Sequence, residues 1–289
     1  MTGLLFGLDV STSAAPGTDP VGDARAAEVL GFDFVSASDH PCGNHPSRET
    51  WTMLTWIAAA TSRIRVATRV LGVPNRSPAI VAKMAETLDR FSGGRLILGL
   101  GGGASDDEFR AFGLDVRSPR DKIIGLEEAV RISRGLWSER SFTFQGRLYE
   151  NVGAEIEPKP DHPIPIWLGT FGPRALDLTG RLADGWIPSL DYAPPERIPA
   201  MRDRIFAAAR EVSREPEEIT CAYNVEVNVS ERPDPRPSVV SGPPDAVAQR
   251  LLEFLELGFT ALNFMPVGED KSEQTELLAH DVIPAVRDA

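Results

Sequence analysis

The stretch Arg63–Ser105 restricts the folds open to this chain more than any other segment. It reads RIRVATRVLGVPNRSPAIVAKMAETLDRFSGGRLILGLGGGAS. Ile64, Val66, Val70 and Leu71 form a β-branched-rich apolar run, which predicts a strand. Pro78 can open a helix at its first position, and Ile80, Val81, Met84, Leu88 and Phe91 follow at helical spacing. Gly93-Gly94 stops that helix. Leu96-Ile97-Leu98 is a second apolar strand, running into Gly101-Gly102-Gly103. Two apolar strands joined by a crossover helix make a βαβ unit, whose parallel sheet is buried on both faces. Ligands of such units gather at the carboxyl ends of the strands. Leu71-Gly72-Val73-Pro74 and the triple glycine therefore share one rim.

The same rhythm runs through the rest of the chain. Strands are predicted at Leu4–Val10, Phe32–Ser36, Ile164–Leu168, Ala183–Pro188, Ile219–Val229 and Ala261–Met265. Helices are predicted from Asp19 to Leu30 and at Trp51–Thr61, Arg120–Leu136, Pro173–Gly180, Arg197–Ser213, Pro243–Leu257 and Glu273–Val286. Period-2 alternation over Ser141–Tyr149 about Gln145-Gly146 predicts a hairpin outside the α/β rhythm. Arg232–Pro237 holds three prolines and reads as loop. Eight strands, each followed by a helical pattern, predict one (β/α)8 TIM barrel over residues 1–289. Its inserted segment lies near 138–163, between the fourth helix and the fifth strand. The rival is an open doubly wound sheet. The run Gly99-x-Gly101-x-Gly103 imitates a dinucleotide fingerprint, but its spacing differs and it follows a fourth strand.

Composition narrows the partners. A net charge of −12 and a pI near 4.9 argue against nucleic acid, whose phosphates demand a basic face. No apolar run approaches the ~20 residues of a membrane span, and no signal peptide is visible, so a cytoplasmic protein is expected. Two cysteines, Cys42 and Cys221, offer neither a disulfide framework nor metal-ligand spacing, and no metal site is expected. An anionic small ligand is compatible, held by backbone N–H groups and one or two arginines.

Asp39-His40 closes the second strand, and Pro41 ends its pairing. An imidazole there titrates near neutrality and can move a proton beside a redox partner. The backbone of Gly101-Gly102-Gly103 can approach a phosphate or ring edge closely, or simply make a tight turn. Asn75 and Arg76 either face a ligand or cap the Pro78 helix. His45, Arg48 and Trp51 either shape a pocket or sit on a solvated loop. Asp106, Asp107 and Glu108 read as an acidic helix start favoured by the dipole.

Several segments, in order, resemble the bacterial luciferase-like flavin oxidoreductases, most closely the branch that uses the 5-deazaflavin coenzyme F-420. They are Leu30–His40, Ser92–Gly103 with Glu108–Gly113, Pro158-Lys-Pro160 with Ile166–Gly169 and Ala183–Ile187, and Gly242–Ala248. The resemblance implies a barrel holding coenzyme F-420 at its carboxyl rim and transferring a hydride to or from a small organic substrate. Its catalytic residues would be His40 and Asp39. Coenzyme contacts would come from Asp39, Gly72, Val73, Asn75 and the three glycines 101–103. Gly169, Thr170, Phe171, Gly172 and Arg174 would receive the coenzyme's anionic tail. It also implies a non-proline cis peptide at the end of the third strand, expected at Gly72-Val73, and by analogy a homodimer. One departure matters: members that oxidise a sugar phosphate carry a catalytic glutamate directly after the glycine loop, where this chain has Ala104, so glucose 6-phosphate is not the expected substrate. The alternatives are an FMN-dependent monooxygenase served by a flavin reductase, and a non-catalytic flavin-binding protein.

Overall fold

The computed structural model describes residues 3–268 and 270–288. Residues 1, 2 and 289, the ends of the expected unit, lie outside them. In the first half the strands are β1 (Leu5–Asp9), β2 (Phe34–Ala37), β3 (Arg65–Thr68), β4 (Leu71–Gly72) and β5 (Leu96–Gly101). They alternate with helices α1 (Pro20–Val29), α2 (Thr50–Ala60) and α3 (Pro78–Ser92), and α4 (Asp106–Ala111) and α5 (Pro119–Ser138) follow. A hairpin of β6 (Phe142–Gln145) and β7 (Glu150–Ala154) precedes β8 (Ile166–Leu168), α6 (Pro173–Leu182) and β9 (Gly185–Trp186). The chain closes with α7 (Ile198–Glu211), β10 (Thr220–Val229), β11 (Val239–Gly242), α8 (Pro244–Glu256), β12 (Ala261–Pro266), α9 (Lys271–Leu277) and α10 (Ile283–Arg287).

Parallel pairing runs β1-β2-β3-β5-β8-β9-β10-β12 and returns to β1, so the sheet closes into the predicted eight-stranded barrel. Alternation along each strand sorts the side chains. Leu5, Phe34, Ala67, Ile97, Trp167, Ile187, Ala222 and Ala261 pack as one layer separate from the larger core that lies under the helices. One residue from each stave fills the lumen, which is therefore packed rather than open. Phe34 and Trp167 meet there edge to face at 5.6 Å. Gly185 makes room for Trp167, because a Cβ at that position would stand 2.3 Å from the indole.

Several expectations shift. The third strand is broken: β3 stops at Thr68, and Leu71-Gly72 resumes pairing with Leu100-Gly101. The expected strand at Ala183–Pro188 shrinks to Gly185–Trp186. In the insertion, the turn covers Gly146–Tyr149 and the second arm begins at Glu150. The cause is Glu128 on α5, which accepts the N–H groups of Arg147, Leu148 and Tyr149 and so holds them in a turn. The final helix is interrupted by a π turn at Leu278–Val282, where Pro284 has no N–H to continue the ladder. β11 was not predicted; it pairs parallel with the end of β10. No helix among the described residues is long and apolar enough to cross a membrane.

The amino end of β3 is set by one carboxylate. Glu28 Oε1, on α1, accepts the N–H groups of Ser62, Arg63 and Ile64 at 2.6–2.9 Å. Burial raises its pKa, but these backbone bonds and Arg63 outweigh that and hold the carboxyl below the usual 4.5. Its contribution is therefore present above the unfolded value and lost as pH falls through the lower folded one. Glu28→Ala should cost about 1–2 kcal/mol at neutral pH. In urea unfolding, that difference should narrow steadily below pH 4.5; a gap of constant size down to pH 3 would contradict the assignment.

Candidate active site

The carboxyl ends of the strands open into a cleft of ≈ 500 Å³. Its wall brings together Asp39 and His40 after β2, Arg69 and Val70 between β3 and β4, and Gly72 and Asn75 just beyond. The glycines 101–103, Ala104, Ser105, Glu108 and Phe109 follow from β5 and α4. Gly169 and Phe171 come from the β8 end, and Ile187, Ser189, Tyr192 and Asn224 complete the ring.

Asp39 is the knot on one side. Its side chain is fully buried, and Oδ2 accepts from Gly72 N (3.0 Å), Asn75 Nδ2 (3.2 Å) and Arg76 Nη1 (2.8 Å). Oδ1 accepts from Arg76 Nη2 at 3.1 Å, making the pair bidentate. Arg76 also reaches Glu49, the N-cap of α2. Burial opposes the guanidinium charge, yet the bonds and field of Asp39, then of Glu49, outweigh it and raise the Arg76 pKa above the usual range. With its oxygens taken, Asp39 fastens the turn at 72–76 to the end of β2.

Val70 forms the floor. The cis peptide lies at Arg69-Val70, not at Gly72-Val73 as expected. Gly72 itself is extended (φ −72°, ψ 109°) and continues the pairing with β5, so the break in the strand falls three residues earlier. The Val70 side chain then fits among glycines. A Cβ on Gly101 would lie 2.6 Å from Val70 Cγ2, and one on Gly169 3.2 Å from it. Gly103 adopts φ +92°, where a side chain would be strained and a Cβ would meet Phe109 at 2.4 Å. The result is one branched aliphatic surface flanked by bare backbone.

Next to Asp39 in the chain, His40 Nδ1 lies 3.0 Å from Glu108 Oε1. The carboxylate accepts a hydrogen bond from Nδ1–H, which leaves Nε2 as the ring nitrogen free to face the cleft. Ser105 caps α4 through Glu108 N at 3.3 Å, which places this carboxylate beside the imidazole. Deeper, a buried chain crosses the barrel mouth. Ser36 Oγ donates to Asn263 Oδ1 (3.0 Å), Asn263 Nδ2 to Asn224 Oδ1 (2.8 Å), and Asn224 Nδ2 to Ser189 Oγ (3.2 Å). Because Ser189 accepts from Asn224, its own proton is free to be donated toward the cleft. Phe171 and Tyr192 form an aromatic side wall, with ring centroids 5.4 Å apart.

Four of the expected contacts stand off the cleft wall. Val73 is buried in the core. Thr170 Oγ1 pairs with Thr179 of α6 at 2.7 Å. Gly172 is the N-cap of α6, and Arg174 lines a separate groove. His45, Arg48 and Trp51 are likewise absent from the wall. Sequence reading missed Arg69, Ser105, Ser189, Tyr192 and Asn224, and took Glu108 for a helix start alone. The signal for Glu108 was present in Ser105-x-x-Glu108, a capping box that fixes the orientation of the helix beside the His40 loop. Among the described residues no cluster of His, Cys, Asp and Glu could hold a metal ion.

Residues 4–236 match the profile of the luciferase-like monooxygenases. The F-420-dependent glucose-6-phosphate dehydrogenase of Kineococcus radiotolerans is 30% identical over 311 residues, covering 91% of each chain. The 5,10-methylenetetrahydromethanopterin reductase of Methanolobus tindarius is 29% identical over 235 residues, 78% of this chain and 69% of that one. Among solved structures, an F-420-dependent secondary alcohol dehydrogenase in complex with an F-420–acetone adduct superposes with a TM-score of 0.89. It covers 99% of this chain and 100% of its own at 22% identity, a likeness of fold.

The buried ion pair generates a test. Arg76→Met strands a buried carboxylate and should cost about 3–5 kcal/mol. Asp39→Asn combined with Arg76→Met should cost clearly less than the sum of the two single changes. Strict additivity in chemical unfolding would show that the pair is not coupled.

Proposed function

The chain belongs to the luciferase-like monooxygenase family, and from that premise we propose that it is an oxidoreductase transferring a hydride between coenzyme F-420 and a small organic substrate. The observation that carries this reading is the floor of the cleft. Val70 between Gly101 and Gly169 offers a smooth aliphatic surface with room for a planar ring system, and Cβ atoms on either glycine would intrude on it. A deazaflavin supplies a carbon hydride carrier where a flavin has its reactive N5, which favours two-electron transfer over oxygen activation.

The residues divide the remaining work. Val70 and the backbone of residues 101–103 and 169 support the ring, and Asn75 stands at its edge. Asp39 acts by positioning: through four accepted hydrogen bonds it holds Gly72, Asn75 and Arg76 in place. His40 Nε2 takes a proton from a substrate hydroxyl, or returns one to a carbonyl oxygen, while Glu108 steadies the imidazolium. Ser189 donates a hydrogen bond to an acceptor oxygen in the cleft. Phe171 and Tyr192 exclude water from one side. Ala104 stands where the sugar-phosphate enzymes have their glutamate, so the proton-moving groups here are His40 and its Glu108 partner, and glucose 6-phosphate is not the substrate proposed.

Trp56, Ile80 and Phe91 are 70%, 59% and 82% exposed on the neighbouring helices α2 and α3. They support the proposal of a homodimer through this face. Sedimentation of wild type as a dimer, with Trp56→Glu as a monomer, is the expected result; a wild-type monomer at micromolar concentration would end the proposal.

Titration with F-420 and with FMN separates the redox readings. F-420 should bind and change absorbance on incubation with a substrate alcohol or carbonyl compound. Tight FMN binding without F-420 binding would instead favour the monooxygenase with its reductase partner. Binding of either with no substrate-dependent spectral change would favour a non-catalytic protein. In the first case His40→Ala should keep F-420 affinity near wild type and lower turnover by roughly 10²–10⁴-fold; unchanged turnover would remove His40 from the mechanism.

A further inference from the structure

Among the described residues that line the cleft, Arg69 is the single arginine, and no lysine joins it. Hydride transfer as derived from His40 and Val70 leaves this residue without a task. Arg69 lies two residues beyond Ala67 of the lumen layer, and its side chain reaches past the end of β2 to β1. There Nε donates to Asp9 Oδ1 at 3.0 Å, and the side chain is only 15% exposed. Among the described residues Nη1 and Nη2 have no hydrogen-bond partner. Neither is sealed in the interior, where the unpartnered side-chain atoms are Asn151 Oδ1 and Arg202 Nε, so the Arg69 pair opens into the cleft. The other charges of the wall are committed, Asp39 to Arg76 and Glu108 to His40. A guanidinium is a rigid fork of donors; with Nε held by Asp9, the edge between Nη1 and Nη2 is left to match a carboxylate.

Direction and charge select the occupant. Val70, the next residue, packs beside Gly99, Gly101 and Gly169, on the β5 and β8 side of the third strand. Arg69 instead reaches Asp9 on the β1 side. A ring lying on the valine therefore has the guanidinium beside it rather than beneath it, in the space left for the substrate. His40 enters that space from the end of β2, the strand the Arg69 side chain crosses, and Ser189 and Asn224 line the same cleft. Asp9 already answers most of the guanidinium charge and would repel a phosphate dianion, so a single negative charge suits the fork. The cleft of ≈ 500 Å³ has to hold the ring as well, which restricts the acid to a small one.

We propose that Arg69 determines substrate specificity: the edge between Nη1 and Nη2 binds the carboxylate of a small hydroxy acid or oxo acid. This rests on the F-420 reading, with the planar portion of the coenzyme on Val70. In the oxidative direction the carbinol C–H bond of the hydroxy acid breaks, and its hydrogen leaves with the electron pair as hydride to the oxidised deazaflavin. The O–H proton passes to His40 Nε2 as the C=O bond forms. The reverse reaction returns hydride and proton to the oxo acid, and the carboxylate is unchanged in either direction. Asp9 is a positioning residue that acts through Arg69.

The test is calorimetric binding to protein loaded with oxidised F-420, which cannot turn over an oxo compound. The probes are pyruvate, acetoacetate and levulinate, each beside its uncharged primary amide. The proteins are wild type, Arg69→Gln, Arg69→Lys, and Asp9→Asn combined with Arg69→Gln; the double change leaves no stranded carboxylate if the single one fails to fold. The expected result is that wild type binds at least one acid about tenfold or more tighter than its amide. That preference should vanish in both glutamine variants and be intermediate in Arg69→Lys, which keeps the charge but not the fork, while F-420 affinity stays near wild type. No preference for any acid in wild type, or a preference that survives Arg69→Gln, would overturn the assignment and leave the F-420 reading intact. A fall in F-420 affinity that accompanies the loss of acid binding would give Arg69 to the coenzyme and overturn it too. Failure of wild type to bind F-420 would overturn both.

Discussion

The carboxylate of Asp39 is the constraint on which the mouth of this barrel depends. A buried charge is tolerated only when its lone pairs are satisfied and its field is answered. Here Arg76 does both, with two bonds, while Gly72 N and Asn75 Nδ2 use the remaining capacity of Oδ2. Arg76 is anchored in turn by Glu49 at the head of α2. Three segments distant in sequence, the ends of β2 and β4 and the start of α2, are thereby fixed to one point. Because Arg76 cannot leave without exposing an uncompensated charge, the geometry of the rim is set before any ligand arrives.

From that point the functional surface follows by packing. Gly72 is pinned to Asp39 and paired with Gly101, so the short break before it must project Val70 inward. Glycines at 101 and 169 leave space for the valine on either side. On the far side, the Ser105 cap sets α4 so that Glu108 reaches His40, and the Ser36–Asn263–Asn224 chain orients Ser189. An aliphatic floor, an imidazole and a hydroxyl thus come from separate strands and converge because parallel strands end together.

Much of this architecture could be read in the chain before its coordinates. Apolar strands alternating with amphipathic helices made the barrel legible, and Asp39-His40, Gly101–Gly103 and Gly169 all reach the cleft because they sit at strand ends. What was hidden has a common cause: it depends on contacts between segments. Nothing local in Thr68-Arg69-Val70 shows that the strand breaks there. That break depends on Thr68 Oγ1 bonding Gly99 O, and on Gly72 N reaching Asp39. Glu108 looked like a dipole-complementing carboxylate, which it is, yet its partner His40 is 68 residues away. Ser189 and Asn224 lie in segments with no ligand motif, and only a hydrogen-bond chain across the lumen assigns them a direction. The Thr170 hydroxyl meets Thr179 rather than the cleft wall, because the hydroxyl of a residue at a strand end can serve the helix behind it as easily as the cleft in front.

The most direct test is a crystal structure of the protein grown with F-420. The account predicts the planar ring lying on Val70, between the backbones of Gly101 and Gly169, with His40 facing its reactive edge and the Asp39–Arg76 pair unchanged. A ring bound elsewhere, with the hollow above Val70 filled only by water, would contradict it.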